Sequence, residues 1–93
     1  METIELREML RDAPLKLIAA RIRRARRAGD MSLDGLAGLA DTSRQHLISL
    51  EKGRHRPRPE MLTRIAFATG KPLDYFLLEA AGEPNPFPDE AAA

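Results

Sequence analysis

Arg44, Gln45, Ser49 and Lys52 put their donors and acceptors at a spacing that one surface can use. On a helix that begins at Arg44, with about 100° between residues, Leu47 and Leu50 fall together at roughly 300° and 240°. Gln45 and Ser49 then straddle the opposite direction, Arg44 and Ile48 flank it, and Lys52 extends it by a turn, while His46 lies nearer the apolar side. Arginine can donate two hydrogen bonds to guanine O6 and N7, glutamine can pair with adenine N6 and N7, serine adapts to either, and an exposed isoleucine can rest on a thymine methyl. The chemistry on offer is the reading of base edges in a major groove. An ordinary solvated surface helix is the other reading of the same side chains.

The elements that must position these residues lie in residues 32–53, SLDGLAGLADTSRQHLISLEKG. Leu36, Ala37 and Ala40 share one helical face, and the Ser32 hydroxyl can cap a helix that starts at Leu33. Asp41-Thr42-Ser43 then breaks the pattern: Asp tolerates left-handed backbone, and Ser43 is a good cap for a second helix from Arg44. Gly53, free to take a positive φ, is the natural stop. Two short helices meeting at a three-residue break, the second opening with hydrogen-bonding side chains, make a helix-turn-helix pattern.

Charge supports this reading, although the formal balance of +1 conceals it. Residues 14–72 carry thirteen Lys and Arg against five Asp and Glu, a net +8, whereas residues 1–13 sum to −2 and residues 73–93 to −5. A basic centre suits phosphates, and acidic ends would stay off a polyanion. Ser43, Lys52, Arg54, His55, Arg56 and Arg58 are the candidate phosphate contacts, since the loop after the second helix is stiffened by Pro57 and Pro59. A second cluster, residues 21–27, lies on a helix whose other face is Leu15, Ile18, Ile22 and Ala25, so most of its arginines are expected to be solvated.

Residues 22–62, IRRARRAGDMSLDGLAGLADTSRQHLISLEKGRHRPRPEML, resemble the xenobiotic-response-element helix-turn-helix family, which includes phage repressors and Cro. The resemblance rests on Ile22-Arg23 with Arg26, Ser32, Leu36-Ala37, Ser43-Arg44, Glu51 with Gly53, Pro57 and Leu62, and extends over about residues 15–78. It implies an all-α fold, a compact five-helix bundle with helices near 15–28, 33–40, 44–52, 60–69 and 73–79. It also implies an ion pair of Arg26 with Glu51 that braces the first helix against the reader. Leu33 stands where the family usually has a phosphate-binding Gln, Asp41 where it usually has Gly, and Gly35 and Gly38 weaken the helix that carries them.

Length and composition bound the rest. A chain of 93 residues makes one small domain, read here as an extra N-terminal helix within 1–13, the helix-turn-helix domain at 14–80 and a Pro-rich acidic tail at 81–93 expected to be mobile unless Phe87 docks. In the N-terminal helix Ile4, Leu6 and Met9 either cover the core or meet a second subunit. There is no cysteine, no glycine-rich phosphate loop, and no ligand cluster around His46 or His55, so no metal, cofactor or catalysis is expected. No apolar run is long enough to span a membrane, and Glu2-Thr3-Ile4-Glu5 is not a basic signal region; a cytoplasmic protein is expected.

These observations predict a sequence-specific regulator of double-stranded DNA, foremost a homodimeric repressor on an inverted-repeat operator. Tyr75, Leu77 and Leu78 are the candidate dimer contacts, being apolar beyond what one small core is expected to require. A DNA-binding antitoxin or restriction-modification controller would use the same site. A protein-interaction module, with a toxin or polymerase as its partner and incidental DNA affinity, is the alternative from another class.

Overall fold

Side-chain oxygens set where the two central helices begin. Ser32 Oγ accepts from the Gly35 amide at 2.9 Å and Ser43 Oγ from the His46 amide at 3.0 Å, each satisfying an amide that the first helical turn leaves unpaired. The computed structural model describes residues 3–81, in which every regular element is helical. The helices are α1 (Thr3–Asp12), α2 (Leu15–Ala28), α3 (Leu33–Leu39), α4 (Arg44–Glu51), α5 (Pro59–Thr69) and α6 (Leu73–Leu77), followed by a 3-10 turn at Glu79–Ala81. The bundle of five helices expected from the sequence is α2 to α6, and α1 is the extra N-terminal helix. Nearly all of the tail expected at 81–93 lies outside the described residues.

The stops are equally local. Gly70 ends α5 in the left-handed region at φ 72°, and Gly53 takes φ 70° just past α4. Asp41 accepts φ 55° in the turn between α3 and α4, and Asp30 does the same at φ 58° after α2, a position the sequence reading did not single out. The last helix stops short of the expected residue 79, with Leu78 extended. The reason is Arg21, whose guanidinium takes the carbonyls of Tyr75, Leu78 and Glu79 and so satisfies the end of α6 from outside the helix.

Ile18 and Ile22 of α2, Leu36 of α3, Leu47 and Leu50 of α4, Leu62 and Ile65 of α5 and Phe76 of α6 are fully enclosed in one core. Helix α1 covers part of it: Leu6 and Leu10 are buried and Met9 packs at the edge, so this helix serves the core. The side chain of Ile4 lies outside the described residues.

The two glycines of α3 differ in what a methyl group would meet. A Cβ at Gly38 finds nothing within 4 Å, whereas one at Gly35 would sit 3.1 Å from the Ser32 hydroxyl that caps the helix. Gly38→Ala is therefore expected to stabilise the fold by roughly 0.5–1 kcal/mol in chemical denaturation. Gly35→Ala should gain less or lose stability through its cap.

Candidate nucleic-acid interface

Burial of Leu47 and Leu50 turns the opposite side of α4 outward. Arg44 and Gln45 are exposed there, Ile48 and Ser49 are half-buried beside them, and His46 is half-buried as its angle implied. The Arg44 Nε lies 3.7 Å from Asp34 Oδ1, but both side chains are well exposed, so the pair is weak and Arg44 can exchange it for a base or phosphate. Ser43 has its oxygen committed to capping α4, yet its hydroxyl proton can still be donated to a phosphate.

The loop between α4 and α5 carries Lys52, Arg54, His55, Arg56 and Arg58, all exposed. The His55 ring stacks on His46 at 5.2 Å between centroids, which ties the loop back onto the reading helix. Arg56 has a structural task that sequence did not reveal: its Nη1 donates to the carbonyls of Leu10, at 3.0 Å, and Ala13. A cation thus closes the carbonyl end of α1, where the helix dipole favours it.

The orientation of α4 depends on α2. Arg26 Nε and Nη2 donate to the two carboxylate oxygens of Glu51 at 2.8 and 3.0 Å, while Arg26 Nη1 donates to the Met31 carbonyl at 3.0 Å. Only 14% and 7% of the two side chains are exposed, so this bidentate pair is sealed between α2 and the last turn of the reader. The resemblance implied this ion pair, and the atoms form it.

The remaining arginines of α2 correct the expectation that most of residues 21–27 are merely solvated. Arg21 is buried, and burial, then the nearby positive charge of Arg24, lowers its pKa, while the α6 carbonyls compensate its charge. Arg24 Nε donates to the Tyr75 hydroxyl at 3.2 Å, and the guanidinium groups of Arg21 and Arg24 and the Lys71 ammonium all lie within 6 Å of the Tyr75 ring centre. Arg23 and Arg27 are exposed.

Tyr75 therefore belongs to the interior, as does Leu77, so neither is surplus apolar surface. Of the three candidate dimer contacts only Leu78, 43% exposed, faces outward. Sequence reasoning missed two larger exposed apolar side chains, Leu39 at 65% and Phe67 at 90%. Among the described residues no three His, Cys, Asp or Glu gather as metal ligands, and no helix is long and apolar enough to cross a membrane.

A capped helix pair with a polar outward face, braced from behind and followed by a basic loop, defines a helix-turn-helix unit set in a helical bundle. The Helix-turn-helix family model matches residues 22–76, more than half of the chain, and no curated protein and no solved structure matches it. The chain belongs to this family, that of the xenobiotic-response-element and lambda-repressor-like regulators, and is a DNA-binding transcription regulator of that type.

Truncating one member of the sealed pair strands the other. Glu51→Ala is expected to cost about 3 kcal/mol in chemical denaturation, because the Arg26 charge keeps its enclosure and loses its main acceptor. Arg26→Met combined with Glu51→Leu should recover most of that loss.

Proposed function

We propose that the protein is a repressor that binds an inverted-repeat operator as a homodimer, with α4 of each copy in the major groove. The outward row of Arg44, Gln45, Ile48 and Ser49 on a helix fixed to α2 is the observation that carries this reading. Those four side chains read bases, and Ser43, Lys52, Arg54, His55 and Arg58 hold phosphates on either side of the reader. Arg56 joins them with a guanidinium already anchored to α1.

Repression then follows from occupancy. Two copies related by a two-fold axis would set their reading helices about 34 Å apart, in successive major grooves of one face of the duplex. Leu78, just past α6, is the retained candidate for contact between copies, while Leu39 and Phe67 offer further apolar surface for it. The protein acts on double-stranded DNA in the cytoplasm and needs no cofactor for this mechanism.

Selection from a random duplex library at roughly physiological salt tests specificity and symmetry together. An inverted repeat with half-sites one helical turn apart is the expected product, and the absence of any enriched sequence with folded protein would overturn the reading. On the selected site Gln45→Ala should cost about 1–3 kcal/mol and relax preference at one base pair. Arg58→Ala should instead weaken all sequences alike and flatten the salt dependence by about one contact.

A further inference from the structure

Helix α1 precedes the residues that match the family, and helical geometry sorts its charges. With the buried Leu6 at 0°, Leu10 falls at about 40°, Arg7 and Arg11 at about 100° and 140°, and Glu8, Asp12 and Glu5 between about 200° and 260°. The net −2 of residues 1–13 therefore conceals a basic flank and an acidic flank. The expectation that this end of the chain stays off a polyanion follows from the sum and not from the surface.

The basic flank adjoins the loop that follows the reader. Arg7 and Arg11 line an open cleft of about 430 Å³ together with Arg56, Arg58 and Glu60, and with the Asp12 that pairs with Arg11, four arginines meet two carboxylates around it. Its two walls are fixed to each other, since Arg56 Nη1 donates to the carbonyls of Leu10 and Ala13 at the end of α1. The Arg11 Nε donates to Asp12 Oδ1 at 3.0 Å, and this hydrogen bond and the Asp12 charge raise the Arg11 pKa. Both side chains are about 70% exposed, so a phosphate can displace that carboxylate at little cost.

We propose that Arg7 and Arg11 form a second backbone clamp, through which α1 holds phosphates of the same duplex beyond those held by the 52–58 loop. The proposal rests on the DNA-reading function above. A duplex is the occupant that fits, because the cleft is continuous through Arg56 and Arg58 with the basic loop, and a phosphate backbone supplies anions in a row where a small ligand supplies one. Arginine suits the task, since its fork meets two phosphate oxygens at once.

The test compares the full chain with Arg7→Ala/Arg11→Ala on one selected duplex across a salt series. The slope of log affinity against log salt should become shallower by about two per protomer, with the preferred sequence unchanged. Ethylation interference should lose phosphates at one edge of each half-site footprint, and Arg7→Lys/Arg11→Lys should restore most of the affinity. Circular dichroism melting should match the parent protein, both side chains being exposed. An unchanged slope and footprint on a duplex that the parent binds would overturn the clamp alone. A parent protein that binds no duplex would overturn the clamp together with the reading function.

Discussion

The direction of α4 depends on the sealed ion pair between Arg26 and Glu51. Helix α4 has eight residues, too few to hold a helical shape or a direction on its own in water. Leu47 and Leu50 press it onto the core and choose its outward side, but contacts on one stripe leave its last turn some freedom to tilt. The fork of Arg26, spanning both oxygens of Glu51 and the carbonyl of Met31, removes that freedom at the C-terminal turn. Two enclosed charges contribute little net stability compared with apolar packing, so the value of this pair lies in direction. A reader turned by a few tens of degrees would aim Gln45 and Ser49 at the edge of a groove instead of its floor.

Arginine does two kinds of work in this protein, and the division explains how a chain of nearly balanced charge can meet a polyanion. Arg21, Arg24 and Arg26 point at carbonyls, a phenol and a carboxylate within the fold, closing helix ends and joining helices, and Arg56 stands between the two kinds, tied to the end of α1 yet exposed. Arg44, Arg54 and Arg58 stay at the surface around the reader, and Arg7 and Arg11 add a flank on α1. Formal charge summed along the chain treats these groups alike. Position relative to the core separates them.

That separation marks how far the sequence could be read. Most helix starts and stops were legible because capping serines and left-handed residues act over two or three positions, and the outward face of α4 was legible because Leu47 and Leu50 set its rotation; the end of α6 was not, since Arg21 meets it from 54 or more positions away. The α2 arginines were partly legible too. With Ile18 at 0°, Ile22 and Ala25 fall at about 40° and 340°, Arg21 and Arg26 at about 300° and 80°, and Arg23 and Arg27 at about 140° and 180°. The two arginines beside the apolar stripe are the most enclosed, while Arg24, at about 240°, reaches the Tyr75 hydroxyl from farther round the helix. Apart from the Met31 carbonyl, their partners, Glu51 and the carbonyls of Tyr75, Leu78 and Glu79, lie 25 or more positions away, and only the Glu51 partner was implied, through the family resemblance. Tyr75 and Leu77 were misjudged for a related reason: a five-residue helix with three consecutive buried side chains has no dry and wet face to read.

The central claim is that the α4 face, held by its brace, meets base edges while the following loop meets phosphate. Amide chemical-shift mapping by NMR during titration with a selected duplex tests it directly. The account predicts the largest shifts at residues 43–49 and 52–58, weaker ones at 7–11, and a nearly unchanged α6. Shifts centred instead on Leu39 and Phe67, with residues 44–49 unmoved, would contradict it.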